Sequence, residues 1–168
     1  MADTKLVNPY LTYRFLVKWD GNPVAAVTNV SGLTRKTEVV SFHAGGQATS
    51  AFKIPGQTDY EPIRLTRGIT TDTAFEDWAT FVWTYPNSLQ MGSEMDLTKF
   101  RKPMQIELYN QAGVIVIRYN IYNCWPSEYT PLPDLDSEAN AVALASMTIE
   151  HEGWDRDKSV QAPDQPGY

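Results

Sequence analysis

The stretch that decides the fold is LTYRFLVKW, residues 11–19. Leu11, Tyr13, Phe15, Val17 and Trp19 occupy alternate positions, with Thr12, Arg14 and Lys18 between them; only Leu16 breaks the alternation. A period of two places successive side chains on opposite faces, so this segment predicts a strand with one buried face. Asp20-Gly21-Asn22-Pro23 then supplies a turn, and Val24 to Val30 is expected to return as a second strand in an antiparallel hairpin.

Outward from that strand, most of the chain reads as β. Thr34 to His43 is a further extended segment, and a strand with Ile63, Leu65 and Arg67 begins after Pro62. Between them, residues 41–61 hold Gly45-Gly46 and Pro55-Gly56, and Ala51 to Ile54 resumes a short extended stretch. The whole excursion is expected to be a long loop that is functional or locally disordered. Met104 to Tyr109 and Val114 to Cys124 form a hairpin across Asn110-Gln111-Ala112-Gly113. Pro126, Pro131 and Pro133 mark an irregular connection, and Asn140 to His151 alternates as a strand despite its alanines.

One helix is expected over about residues 73–85. Thr73 and Glu76 have capping-box spacing with Asp72 just ahead. Phe75, Trp78, Ala79 and Val82 recur at helical spacing, and Pro86 is expected to end the helix. Phe75 and Trp78 are its candidate packing residues. Ser88 to Phe100 reads as a loop. The fold class is therefore mainly β, an antiparallel β-barrel or sandwich with one flanking α-helix. Residues 1–154 form its domain, and 155–168 a polar C-terminal tail.

Composition narrows the function. A chain of 168 residues can bury about 70% of its unfolded surface without staples. The single cysteine, Cys124, excludes an internal disulfide and reads as a buried filler. The longest apolar run, Ala141 to Ala145, is far too short to span a membrane, and Met1 to Tyr10 shows no secretory pattern. Net charge is −6 and unevenly spread. Residues 1–70 carry eight Lys/Arg and five Asp/Glu, whereas residues 128–168 carry two and nine. No concentrated basic stripe suits nucleic acid. The polarity suits either a solvated acidic tail or head-to-tail self-association.

Chemistry is sparse. The two histidines, His43 and His151, stand in no metal-ligand or triad spacing. Phosphate-binding glycine motifs are missing, and Gly45-Gly46-Gln47 reads as a loop tip. Asn29-Val30-Ser31 is a glycosylation sequon by pattern alone, and Asp134 and Asp136 sit between prolines as solvated acids. No catalytic residue, metal site or cofactor is expected. A monomeric carbohydrate-binding β-sandwich using Trp19, Trp83 or Trp125 is the alternative.

Asn8-Pro9-Tyr10 followed by Tyr13-Arg14-Phe15-Leu16-Val17 resembles the first strand of contractile-type phage tail tube proteins. Val30-Ser31-Gly32-Leu33 with Glu38, then Lys53-Ile54-Pro55-Gly56 and Tyr60-Glu61-Pro62-Ile63, are similar to blocks of that family. So are the helix with Phe75 and Trp78, Trp125-Pro126, and Asp136, Asn140, Val142 and His151-Glu152-Gly153. The most specific block is Leu65-Thr66-Arg67-Gly68 ahead of the helix. The resemblance spans about residues 8–154 and extends to type VI secretion tube proteins.

It implies a structural subunit, not an enzyme, that forms hexameric rings stacked into an inner tube. Its implied partners are further copies of itself, a surrounding sheath protein, baseplate and tube-terminating proteins, and DNA or effector cargo passing without tight binding. It implies assembly in the bacterial cytoplasm into a virion tail or tail-like injection particle, without membrane insertion. Under this reading His43, Gly45, Gly46, Gln47 and Lys53 belong to a loop reaching the next ring. Arg35, Lys36, Glu150 and Glu152 are candidate charged stacking contacts.

Overall fold

The computed structural model describes residues 14–24, 27–43, 45, 51–88, 100–135, 142–161 and 163, with the backbone alone at 85–88. The strands are β1 (Phe15–Trp19), β2 (Asn22–Pro23), β3 (Val27–Val30), β4 (Arg35–Phe42), β5 (Phe52–Tyr60) and β6 (Ile63–Gly68). After helix α1 (Ala74–Ser88) come β7 (Lys102–Tyr109), β8 (Ile115–Thr130), β9 (Leu144–Glu150) and β10 (Gly153–Arg156). Strand order in the main sheet is β2-β1-β7-β8-β9-β6-β3, with β10 also on β8. All described pairings are antiparallel.

The 16-residue β8 organises the fold. Its first half pairs with β7 and β10 and its second half with β9, so it belongs to both wings of the sheet. Asn123 takes a left-handed conformation (φ 52°) and a register shift follows between Pro126 and Glu128. Such irregularities bend a strand and raise its twist. The wings thereby enclose one core. Val17, Trp19, Met104, Ile106, Ile121 and Cys124 come from one wing, and Ile63, Leu65, Met147 and Ile149 from the other. In β6 and β9 buried and less buried residues alternate, as period two requires.

Several sequence expectations change. Val27–Val30 does not return along β1; it pairs with β6 in the other wing, Val30 opposite Leu65. Only Asn22–Pro23 pairs with β1, across Asp20-Gly21, whose φ values of 52° and 78° suit a tight hairpin turn. The Val24 N–H still donates to the Val17 carbonyl at 2.8 Å, and from Val27 the chain runs in the other wing. β8 runs through Pro126 to Thr130, where an irregular connection was expected; the proline sits at the register shift, the place a strand tolerates one.

The helix continues past Pro86 to Ser88. So close to a helix end, a missing N–H costs only a terminal bond. Its N-cap is Thr73, whose carbonyl accepts the Asp77 N–H and whose Oγ1 donates to Asp77 Oδ2 at 2.8 Å, while Asp72 Oδ1 just ahead accepts the Ala74 N–H at 3.0 Å. Thus Asp77, not Glu76, partners Thr73. At the C-terminal end β10 pairs with β8 through Arg156, and the Asp157 N–H donates to the Arg118 carbonyl.

The largest change concerns residues 41–61. Most of this stretch is the continuation of β4 and the whole of β5, which pair as a separate two-stranded sheet. Pro55 and Gly56 fall where the register shifts between Thr37 and Val39. A Cβ on Gly56 would lie 3.0 Å from Val40 Cγ2 and 3.3 Å from the Glu38 carbonyl oxygen, so a larger residue there would press on its neighbours and glycine suits the close approach of the strands. Residues that looked like a turn are a bulge in a long hairpin.

Candidate functional site

The β4–β5 hairpin is an arm. Every residue of β4, and all of β5 except Tyr60, is exposed. Val40 faces Ile54 and Phe42 faces Phe52 across the ladder, which puts these four side chains on one side. Phe42 and Phe52 are 58% and 61% exposed, a burial deficit rare for phenylalanine. Thr37 and Thr58 share a hydroxyl hydrogen bond at 3.0 Å, so the arm is internally paired although its faces are bare.

Of the residues expected in the inter-ring loop, His43 and Gly45 are exposed beyond the end of β4. Lys53 lies in β5 opposite Ser41 and has no ion-pair partner among the described residues. Gly46 and Gln47 lie outside the described residues.

The root of the arm is tied to the barrel. Lys36 pairs with Glu61, and the Arg35 guanidinium stands 5.6 Å from the Trp154 ring centroid. His151 Nε2 is 3.0 Å from the Glu61 carbonyl oxygen, and its ring lies beside Tyr60. The other candidate charges also have partners in their own chain. Glu152 takes Arg101 at 2.5 Å and Asn123, and Glu150 accepts the Ser127 hydroxyl at 3.4 Å.

Phe75 and Trp78 of α1 are buried. Trp19 meets Phe75 at 5.1 Å and Trp78 edge-on at 4.8 Å, centroid to centroid. The Trp78 Nε1–H donates to the Phe100 carbonyl at 2.9 Å, so the indole satisfies its polar atom while its rings fill the core. Arg67, only 3% exposed, fixes the helix start: its guanidinium donates to Asp72 Oδ2 at 3.1 Å and to the Asp72 carbonyl at 2.5 Å, and lies 4.0 Å from the Phe75 centroid. The Leu65-Thr66-Arg67-Gly68 block thus joins strand β6 to the N-terminus of α1.

Beside that helix is an open cleft of about 430 Å³, lined by Trp19, Ala74, Asp77, Trp78, Phe81 and Lys102. Phe81 is 41% exposed there, and the Lys102 ammonium lies 5.5 Å from the Trp78 centroid. The three tryptophans of the carbohydrate alternative are spread apart in environment. Trp19 is core, Trp125 is half-buried edge-on to Phe100, and Trp83 is exposed on α1.

A cluster the sequence did not disclose lies on the outward face of β1, β7 and β8. Glu107 is fully buried. It accepts from Arg118 Nε at 2.9 Å, Lys18 at 3.0 Å and the Tyr109 hydroxyl at 2.7 Å. Arg118 passes on to Asp157 at 3.3 Å, which Ser159 also holds. Burial pushes the Glu107 carboxyl up, but the hydrogen bonds from Tyr109, Lys18 and Arg118 outweigh it and leave it below its ordinary value. The same contact, after burial, drives the Tyr109 hydroxyl up to about 12. Glu107 falls on the polar side of an alternating strand, where it reads as solvated; its partners come from registers that sequence does not give.

Among the described residues no group of three or more His, Cys, Asp and Glu could hold a metal ion. No helix among them is long and apolar enough to cross a membrane. Cys124 is buried, and burial pushes its thiol up to about 12.

A family model described as the T4-like virus tail tube protein gp19 matches residues 11–155. Among solved structures, the chain is similar to one in the cryo-EM structure of the anti-feeding prophage cap, with 25% identity and a TM-score of 0.74, over 94% of this chain and 99% of that one. A chain of an extracellular contractile injection system, the PVC sheath–tube complex in its extended state, is 25% identical with a TM-score of 0.70, over 91% and 94%. A type six secretion system protein shares the fold at 12% identity and a TM-score of 0.51, over 92% of each chain. No curated protein matches the sequence.

Proposed function

Because this chain belongs to the tail tube protein family of T4-like viruses, we propose that it closes into hexameric rings and that the rings stack into a tube with a central channel. Tail tube proteins are structural, and nothing in the site described above assembles reacting groups. The observation that carries the reading is the arm: an internally paired hairpin whose apolar side chains its own chain leaves bare. Such a surface is stable in water only at a cost that a neighbouring copy removes.

In this reading the arm, with His43, Gly45, Gly46, Gln47 and Lys53, reaches a subunit of the adjacent ring. The net positive N-terminal part and the acidic C-terminal part favour head-to-tail stacking, with Arg35, Lys36, Glu150 and Glu152 exchanging or extending their present partners. A sheath protein surrounds the tube, and baseplate and tube-terminating proteins bound its ends. DNA or protein cargo passes the channel without tight binding, since no basic stripe is available to hold phosphate. Assembly takes place in the bacterial cytoplasm. Negative-stain imaging of concentrated protein tests this. Sixfold rings or tubes are expected; a population of monomers at every concentration overturns it.

A further inference from the structure

The outward faces of the two wings differ in chemistry. Val30, Leu65, Met147 and Tyr129 turn toward the core, so their chain neighbours stand on the outward face of β3, β6, β9 and the second half of β8. The registers set these neighbours in two rows. One row is Asn29, Thr66, Ser146 and Thr130, across four strands. The next is Arg64, Thr148 and Glu128, with Ser31, just past β3, beside Arg64. The Ser31 N–H donates to the Arg64 carbonyl at 2.9 Å, and its hydroxyl oxygen accepts the Arg64 N–H at 2.8 Å. The corresponding face of the other wing carries Lys18, Glu107, Arg118 and Asp157 instead. We propose that the hydroxyl-rich face is the wall of the central channel. This rests on the tube reading above and names the surface of each subunit that meets the channel's contents.

Apart from Arg64 and Glu128, the side chains of both rows are short and uncharged. Those two charges are opposite in sign and flank Thr148, and the Arg64 guanidinium donates to the Ser146 hydroxyl at 3.3 Å. Such a face lacks the clustered cations that grip phosphate and the apolar patch that holds an exposed protein segment, so it retains neither. It also lacks the aromatic and apolar centre of a subunit contact. Continuity points the same way. β3 leads into β4 and β5 into β6, and between the two ladders the Glu61 N–H donates to the Thr34 carbonyl at 3.1 Å. The arm therefore prolongs the β3–β6 pair beyond the barrel, as a wall shared by stacked rings needs. Sideways, β3 ends the strand order of the sheet, so a neighbouring copy has an edge at which to continue the face. Helix α1 lies across the core from these rows, with Phe75 edge-on to the inward Tyr129 at 6.5 Å between centroids, so the helix falls on the outside of the tube.

Labelling of assembled tubes tests the assignment. Thr148→Cys, in the wall, and Thr80→Cys, exposed on α1, are assembled separately and then treated with a small biotin maleimide, which diffuses along an open channel. Cys124 is buried with its thiol raised, so it does not compete. The tubes are offered to avidin-coated beads, which are too large to enter them. Thr80→Cys tubes are expected on the beads and Thr148→Cys tubes in the supernatant. After the tubes are dissociated, both chains should bind the beads alike, which shows that the wall cysteine took the label. Capture of intact Thr148→Cys tubes as complete as that of Thr80→Cys tubes puts the hydroxyl face outside and overturns the assignment. So does a Thr148→Cys protein that fails to assemble, or assembles but takes no label, since the face is then a subunit contact. Loss of capture of Thr80→Cys tubes overturns it as well, because the side across the core would not be the exterior. In each of these cases the tube reading stands; if the wild-type protein forms no tube, both fail.

Discussion

Arg67 and Asp72 allow the sharpest test of how this fold is held. Arg67 is 3% exposed, whereas Asp72 is 41% exposed. Arg67→Met keeps most of the stem's packing and leaves the carboxylate partner in reach of water. It forfeits one charged hydrogen bond, the bond to the Asp72 carbonyl and the contact over Phe75. Charged hydrogen bonds are worth about 1.5–3 kcal/mol and the cation–π contact about 1 kcal/mol, so after discounting the exposed partner the expected loss is about 2 kcal/mol. Asp72→Ala is expected to cost more, about 3–5 kcal/mol, because it strands a buried guanidinium and removes the cap on the Ala74 N–H. The double variant should lie well short of the sum of the two singles, since the stranded charge is gone. Urea unfolding below the assembly concentration reads these differences, as does a melting shift of about 2–4 °C per kcal/mol. If Asp72→Ala proves milder than Arg67→Met, or if the two add without coupling, Arg67 does not depend on Asp72 and the account of the strand-to-helix junction is wrong.

Trp78→Ala should cost about 3–5 kcal/mol, for it empties a buried site against Trp19 and drops the bond to the Phe100 carbonyl; an unchanged melting temperature would contradict the packing. Glu107 has a lowered carboxyl, so its contribution to stability is full above the ordinary value of 4.5 and is lost as pH falls through its lower folded value. Accordingly Glu107→Gln should be less stable than wild type at pH 7 by about 2 kcal/mol, and the gap should close on acidification below pH 4.5. A gap that widens in acid would refute the sign. Removing His43 to Ser50 and joining Phe42 to Ala51 should leave the melting temperature of the subunit in place yet stop tube growth, measured by sedimentation and imaging; normal polymerisation would show that the arm's tip is dispensable.

What sequence disclosed and what it hid divides along physical lines. Phe15 to Trp19, Met104 to Tyr109 and Leu144 to Glu150 were readable because polar and apolar residues largely alternate along each strand, and a two-residue period survives any pairing partner. The aromatic residues of α1 were readable for the same reason at helical period. Pairing was not. Val27 to Val30 looks the same whether it lies beside β1 or β6, and only the crossing of the chain after Pro23 decides it. The Glu107 cluster depends on Lys18, Arg118 and Asp157 meeting through three registers, none of which a local pattern encodes. β10 was hidden because its charges read as a solvated tail.

Thr34 to His43 and Ala51 to Ile54 read as extended, but the full length of β5 and its pairing with β4 into one arm were missed for a more instructive reason. A strand is recognised by the contrast between a buried and an exposed face, and β4 and β5 have no buried face within their own chain. Glu38, Val39, Val40 and Ser41 follow one another without period, and Pro55-Gly56 imitates a turn where the ladder only bulges. Yet the apolar residues are there: Val40 and Phe42 alternate, and so do Phe52 and Ile54. In the proposed tube this alternation describes a face covered by a partner and not by the barrel. A hairpin that is patterned like half of a core and exposed in its own chain is what that proposal requires. For this chain that inverts the usual order of inference: the exposed apolar alternation at residues 40–54, and not any residue of the barrel, is the part of the sequence that speaks for assembly.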